Sequence, residues 1–413
     1  MLVIDATHGG ITLSEALYNR GYDVVCVDVH RTVKNPPSKF QMLKQLPNIY
    51  DYDLIIRPIH YPLNVPYDFH GKVITHHEAV KMLISDVVDF PIVEITGSFG
   101  KTTAIKCAIY IMKEQFKILS LTSEGIFFID HGKEVPLLKN ISITPANIIK
   151  AIEICPNKPD LAIFEVSLGG TGMADLGIIK NVYHNYPIAK GTSSALEAKL
   201  SMIRNRKSSA IILLNADDPL LRNFSNVKYF SINSNSYNIC IENFIMNKEV
   251  MKFHVSFKDF ILEDGKIMVE SIGPLGRHHL ENMLVGISIA RFFGINEKRI
   301  EFTKEPFNEK MVMIDPSIPL VVNKSTSLNE LVVERSIEEF SEIFQPMRLE
   351  IGGRIKTSCG DVSIPSIANI INQSGFEEVF LFGELGEELR NLVIKNITKS
   401  IERKGPTLRL ERA

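Results

Sequence analysis

The stretch VEITGSFGKTTA, Val93 to Ala104, decides the fold. Its apolar start reads as a buried strand, and its glycines permit a tight turn whose backbone N–H groups face inward. Lys101 adds a positive charge and Thr102 a hydroxyl, which is what a polyphosphate with its magnesium ion requires at a helix N-terminus. The general phosphate-loop pattern is G-x-x-x-x-G-K-[ST]. Counting back from Gly100-Lys101-Thr102 puts Ile95 where the first glycine would stand, so the loop is a shorter form. Ile95 belongs to the strand. A nucleoside triphosphate is therefore expected against Thr96, Gly97, Ser98, Gly100, Lys101, Thr102 and Thr103.

On the N-terminal side, "MLVID", "ATHGG", "ITLSEALYNRG" and "YDVVCVDVH" read as strand, glycine turn, helix and strand. That is a βαβ unit with a parallel sheet, and "YDLIIRPIH" and "GKVITH" continue it. Pro91 marks a boundary, because proline is disfavoured inside an element. Beyond it, "KILSLT", "LAIFEVS", "GIIKNVYH" and "AIILLNADD" supply further buried strands, and residues 226–276 alternate as a small antiparallel appendage. The helix "HHLENMLVGISIARFFG" closes at Gly294. Strand-like "IPLVVN" and "EEVFLFGE" then alternate with helical "NELVVERSIEEFSEIF" and "ELGEELRNLVIKNITKSI". The expected fold class is α/β with three domains: a Rossmann-like substrate domain over 1–90, a central P-loop ATPase domain over 91–305 and a Rossmann-like domain over 306–413.

Composition narrows the partners. The 413 residues carry a formal net charge of −2 with 23% charged and 45% hydrophobic residues, which excludes the cationic excess of a nucleic-acid binder. No nucleic acid and no membrane are expected as partners. Cys26, Cys107, Cys155, Cys240 and Cys359 form no C-x-x-C pair, so neither a zinc knuckle nor a disulfide framework is indicated. A cytoplasmic protein, monomeric or homodimeric, is expected.

The shortened loop T-G-S-F-G-K-T-T resembles the T-G-[ST]-x-G-K-T loop of the Mur ligases, the ATP-dependent ligases of peptidoglycan precursors, folates and related substrates. Four further stretches resemble that family in the same order. "FEVS" places Glu165 where the family holds magnesium, and "ALEAKLSMI" places Lys199 where several members carry a carbamylated lysine. "LLNADDP" sets Asn215, Asp217 and Asp218 near the nucleotide. "GRHHLENMLVG" brings His278 and Asn282 to the adenine, with His279 where the family has asparagine. The resemblance implies a three-domain Mur-ligase-like architecture, with Lys101, Lys199 and Glu165 as catalytic residues and Thr102, Glu165 and Lys199 as magnesium ligands. ATP and Mg2+ are the implied cofactors.

Departures from the family point to an unusual acceptor. Its T-N-[IV]-x-x-D-H segment reads "KNVYHNY" here, so Asn185 and Tyr186 replace an aspartate and a metal-linked histidine, with His184 displaced by two positions. In the third domain only Lys310, Asn323 and Lys324 stand near the places of family residues that handle ATP and the incoming amine. The segments "DATHGG", "RPIHYP", "ITHHEAV", "SITPANI" and "EVSLGGTGMADLGIIKN" look like one branch of the family, whose substrate is a nickel seco-tetrapyrrole. That resemblance implies activation of a propionate as an acyl phosphate and closure of a carbocyclic ring. Thr7, His8, Gly9, Gly10, His60, His76, Gly169 and Gly170 are then the substrate-facing candidates, with His77 beside them. The alternatives are an amide ligase of pseudomurein or polyglutamate type, and a nucleotide-switched metal or tetrapyrrole carrier that hydrolyses ATP without ligation.

Overall fold

The computed structural model describes residues 1–412 apart from 184, 247–249, 273–277, 304, 308, 309, 316, 317, 326, 327 and 356–361. Its chain divides into two compact units, one made of Met1–Cys240, Ser256–Gly265 and Asn282–Asn296, the other of Ile241–Val255, Lys266–Glu281 and Glu297–Ala413.

The first unit begins with a parallel sheet of β1 (Leu2–Ile4), β2 (Val25–Val27), β3 (Gln41–Leu43), β4 (Leu54–Arg57) and β5 (Lys72–Thr75), in the order β3-β2-β1-β4-β5. The order reverses between β1 and β4, which opens a crevice at the carboxyl ends of those two strands. Helices α1 (Ile11–Asn19) and α2 (His76–Ile84) flank the sheet. Leu13, Leu17, Val80 and Leu83 share one core with Val3 and Ile56. Thr75 and Glu78 form a reciprocal capping box that fixes the start of α2.

A second sheet in the same unit holds β6 (Ile92–Thr96), β7 (Ile118–Thr122), β8 (Gly125–Asp130), β9 (Lys133–Lys139), β10 (Leu161–Glu165) and β11 (Leu176–Ile179). After the short hairpin of β12 (Pro187–Ile188) and β13 (Ser193–Ser194), β14 (Ile211–Asn215) and β15 (Lys228–Ser231) extend it. The order is β15-β14-β11-β6-β10-β7-β8-β9. Strands β6, β10 and β11 are buried at every residue, as befits parallel strands covered on both faces. The covering helices include α3 (Lys101–Met112), α4 (Asn147–Ile154) and α5 (Ala195–Arg204). The next strand, β16 (Ile239–Met246), pairs in parallel with β15 through Phe230 and Ile239. The expected antiparallel appendage is thus replaced, at its start, by a continuation of the parallel ladder.

The chain continues through β17 (Val250–Phe257), β18 (Gly265–Ile272), α6 (His278–Phe292) and β19 (Arg299–Phe302), and β18 pairs with β19 in parallel. A six-stranded sheet in the second unit has the order β20-β21-β25-β22-β23-β24, from β20 (Lys310–Asp315), β21 (Ile318–Ser325), β22 (Arg348–Gly353), β23 (Glu378–Phe382), β24 (Asn396–Ile397) and β25 (Thr407–Arg412). Helices α7 (Glu330–Ile343), α8 (Ile364–Gln373) and α9 (Gly383–Leu389) contribute Ile337, Ile367 and Leu385 to its core. The helix expected over 384–401 ends early, at Leu389. Val393 is buried and Ile394 exposed in the connection that follows, before the short strand β24.

Candidate functional site

The loop between β6 and α3 is held by side chains from neighbouring strands. Lys101 Nζ donates to the Gly97 carbonyl at 3.0 Å and lies 3.5 Å from Glu165 Oε1. The Thr102 hydroxyl donates to Glu165 Oε2 at 2.7 Å, and the Ser123 amide reaches the same oxygen at 3.2 Å. Glu165, remote in sequence from the adjacent Lys101 and Thr102, therefore converges with them where β6 and β10 end. Thr96 is buried at the end of β6, and its hydroxyl accepts from Gly169 N at 3.4 Å. Thr103 stands on the first turn of α3. The Thr102 hydroxyl and Glu165 carboxylate are hard oxygen donors side by side, a set that fits magnesium.

Behind the loop stand two residues that sequence reasoning did not select, Lys180 and Asn181. Asn181 Oδ1 accepts from the amides of Ser98 at 2.9 Å and Phe99 at 3.2 Å, and the Ser98 hydroxyl donates to Val182 O at 3.0 Å. Asn181 thus fixes the loop from the adjacent strand β11. A signal existed in "IIKN", a lysine and an asparagine directly after a buried strand. Gly100 has φ +76°, and a Cβ there would lie 2.5 Å from Asn282 Oδ1 and 2.8 Å from Lys180 Nζ. Only glycine combines that backbone with that close approach. The same contact puts Asn282 against the loop.

Lys199, on α5, is 3% exposed. Burial, with the Lys101 charge adding to it, pulls its ammonium down to about 8. Its Nζ lies 5.7 Å from the centre of the Tyr186 ring, so the tyrosine at the expected histidine position covers the lysine. Asn185 Oδ1 accepts from Leu196 N at 3.0 Å and thereby tethers the start of α5. His184 lies outside the described residues. Gly169 and Gly170 are buried; a Cβ at Gly169 would lie 2.5 Å from Ser201 Oγ, and one at Gly170 would lie 2.8 Å from Glu94 Oε2. What they visibly do is let the loop pass between α5 and β6. Glu94 accepts from Thr171 N at 2.8 Å and from the Thr171 hydroxyl. Burial pushes the Glu94 carboxyl up to about 7.

Other candidates are engaged nearer their own strands. Asp217 accepts from Ser231 Oγ at 2.6 Å and Ile232 N at 2.7 Å. Asp218 holds the amides of Val182 and Tyr183 at 2.5 and 2.9 Å, and Asn215 Oδ1 accepts from Asp217 N at 2.9 Å. In the second unit, Asn323 Nδ2 donates to Ser336 Oγ at 3.3 Å and Lys324 pairs with Glu411 at 2.7 Å. His279 sets its ring 4.9 Å from that of Phe307. The side chains of His278 and Lys310 lie outside the described residues.

A second cluster occupies the β1–β4 crevice. Asp5 is fully buried; its Oδ1 accepts from the amides of Thr7 and His8, both at 3.1 Å. Its Oδ2 lies 2.7 Å from His8 Nδ1, 3.5 Å from His30 Nε2 and 3.4 Å from His60 Nε2. Burial alone would raise the Asp5 carboxyl, but the His60 and His8 imidazoles outweigh it and hold the group well below the usual range. The hydrogen bond to Asp5 in turn raises His8. Thr7 shares a 2.6 Å hydroxyl contact with Thr32. Gly9 has φ +102°, and a Cβ there would lie 2.7 Å from Ala146 Cβ; one at Gly10 would strike the Asp5 carbonyl. His76 and His77 are buried, each with Nε2 beside a carbonyl, Ile4 O at 2.9 Å and Ser167 O at 2.8 Å. Burial lowers both to about 4, so they stay neutral. His30 was missed because nothing in its local sequence marks it.

Known proteins share both sequence and fold with this chain. Residues 95–290 match the family profile described as the Mur ligase middle domain. A coenzyme F(430) synthetase of Methanocaldococcus jannaschii is 28% identical over 424 residues, covering 97% of this chain and 95% of that protein. The coenzyme F(430) synthetase of Methanosarcina acetivorans is 36% identical over 239 residues, 52% of this chain and 50% of that protein. Among solved structures, the MurF ligase of Thermotoga maritima in complex with ADP superposes with a TM-score of 0.57 at 15% identity, over 87% of this chain and 85% of that one.

Proposed function

We propose that the chain, whose residues 95–290 match the Mur ligase middle domain, is an ADP-forming ligase of that family that makes coenzyme F430. It activates a propionate carboxylate of a nickel seco-tetrapyrrole with ATP and closes a carbocyclic ring. The observation that carries this reading is the likeness to a coenzyme F(430) synthetase along 97% of the chain. The convergence of Lys101, Thr102 and Glu165 at the phosphate loop supports it chemically.

A carboxylate resists nucleophiles because its charge is delocalised. One of its oxygens attacks the γ-phosphorus of ATP, ADP leaves, and the product is an acyl phosphate. The transfer calls for positioning and charge stabilisation rather than covalent help. The loop amides and Lys101 hold the β- and γ-phosphates, and Asn181 keeps those amides aligned. Thr102 and Glu165 would hold magnesium, which supplies charge neutralisation at the phosphates when bound. A substrate carbon then attacks the acyl carbon, phosphate leaves with the C–O bonding pair, and the carbon's proton passes to a base. Lys199, buried and drawn toward its neutral form, is suited to accept carbon dioxide as a carbamate.

Thr7, His8, Gly9, Gly10 and His60 form the substrate-facing edge of this proposal, with His76, Gly169 and Gly170 as the framework beneath it. Asn282, His278 and Asp217 are assigned to the nucleotide. The division at 90 and 305, a cytoplasmic location and a monomeric or homodimeric state complete it. Among the described residues no helix is long and apolar enough to cross a membrane. The deciding experiment is anaerobic incubation with ATP, Mg2+ and the seco-acid. A changed visible spectrum with loss of one water in mass is expected; ADP release with unchanged tetrapyrrole mass overturns it.

A further inference from the structure

Three imidazoles around one buried carboxylate form a constellation that phosphoryl transfer does not use. Asp5 follows β1, His30 follows β2 and His60 follows β4, so the parallel sheet delivers all three to the same carboxyl edge. They stand at the point where the strand order reverses, the crevice in which open α/β sheets take ligands. We propose that Asp5, His8, His30 and His60 form a site for a borderline divalent metal centre of the nickel(II) or zinc(II) class.

Donor spacing supports the assignment. Tetrahedral nitrogen and oxygen ligands at about 2.0–2.2 Å from a metal lie roughly 3.3–3.5 Å from one another. Asp5 Oδ2 is 3.5 Å from His30 Nε2 and 3.4 Å from His60 Nε2, at or just beyond ordinary hydrogen-bond length. Donor atoms of Asp5, His8 and His30 all lie within 4.8 Å of one another. The His8 ring packs edge-on to those of His30 and His60, with centroids 5.2 and 5.0 Å away. Asp5 itself adopts φ +74°, a backbone that costs a non-glycine residue stability and that persists at sites where the surroundings enforce it. Its Oδ1 is engaged by two amides, which leaves Oδ2 to the imidazoles. The carboxylate is fully buried while the side chains of His8, His30 and His60 are 44%, 46% and 34% exposed, so the imidazole face is open to a ligand.

Imidazole coordination of such a metal has two sources: a free ion held by Asp5 together with imidazoles of this cluster, or the nickel of a tetrapyrrole taking one imidazole. The second source rests on the proposed function; the first does not. The test uses the untagged full chain without ATP. One arm titrates NiCl2 alone by calorimetry, with His30→Ala, His60→Ala and, as a control, His131→Ala, a remote exposed histidine 3.6 Å from Asp130. Expected is one ion per chain, bound at least ten-fold more weakly by the first two variants and unchanged in the control. A second arm adds the nickel seco-acid and reads its visible absorption. A shift lost in His30→Ala or His60→Ala, without free-ion binding, assigns the site to the substrate's nickel. If neither titration responds to His30→Ala or His60→Ala in variants that retain wild-type circular dichroism, the proposal is overturned. Because no product is measured, that failure is separate from failure of the ligase reaction.

Discussion

Replacing Glu94 with glutamine removes a titration that the fold resists. The side chain is 1% exposed on β6, directly beneath the phosphate loop, and receives both the amide and the hydroxyl of Thr171. Burial raises its carboxyl from the usual 4.5 to about 7. The folded chain therefore keeps a proton that the unfolded chain gives up above pH 4.5. Its stabilising contribution is complete below pH 4.5, declines as pH rises, and is gone above about pH 7. At 1.36 kcal/mol per unit the total is about 3 kcal/mol. Glutamine has nearly the same shape, offers Thr171 an oxygen and does not titrate. The stability difference between Glu94→Gln and wild type should thus be small at pH 4.5 and grow to about 3 kcal/mol in favour of the variant by pH 7.5. Thermal midpoints measured side by side across that range cancel every other titrating group. A gap of several degrees is expected to open at the alkaline end. A difference that stays constant with pH, or that grows in favour of wild type, refutes the reasoning.

Lys101→Ala should reduce ATP-dependent product formation by about 10²-fold or more; retention of over a tenth of wild-type turnover would remove Lys101 from the mechanism. Gly100→Ala places a Cβ 2.5 Å from Asn282 Oδ1 in a φ +76° backbone, so calorimetry with a non-hydrolysable ATP analogue should show at least about ten-fold weaker binding. An unchanged Kd would mean that the loop relaxes freely. In the second unit, Glu350 is 1% exposed and binds Arg348, Arg403 and Arg409 at 2.8–3.0 Å. Glu350→Ala removes the buried carboxylate these guanidinium groups share, while Arg348 keeps the Glu402 and Ser400 carbonyls and Arg409 keeps Glu411, and should cost about 3 kcal/mol, read from urea unfolding of that unit; a loss below about 1 kcal/mol contradicts the assignment.

The strand–glycine turn–helix of the proposed phosphate site was legible because its parts are contiguous, and Lys101 and Thr102 open the helix that follows the turn. Glu165 was legible only through the resemblance of FEVS to the family segment, since a lone acid closing an apolar strand marks no function by itself. Asn181 was not, since its role depends on β11 lying beside β6, a pairing set by long-range topology. The Asp5 cluster shows the same limit. Its members stand after three different strands, and only the order β3-β2-β1-β4-β5 brings them together. His60 and His76 both follow strand ends and look alike in sequence. Burial separates them, with His60 at the crevice and His76 turned under the sheet onto Ile4 O.

The residues from Glu165 to Thr171 connect these neighbourhoods. Glu165 receives Thr102 and Ser123, the Ser167 carbonyl faces His77, and the Ser167 amide donates to Ile143 O at 3.0 Å. Gly169 N reaches Thr96 while the Gly169 backbone lies against Ala198 and Ser201 on α5, and Thr171 closes onto Glu94. Six hydrogen-bonding partners are thus engaged along seven residues, with a glycine of φ +126° at the tightest approach. Such a segment cannot shift at one end without straining the other, because packed interiors yield little. This gives the stretch EVSLGGT a steric reason for its small residues: a Cβ at Gly169 would lie 2.5 Å from Ser201 Oγ on α5, and one at Gly170 would lie 2.8 Å from Glu94 Oε2 on β6.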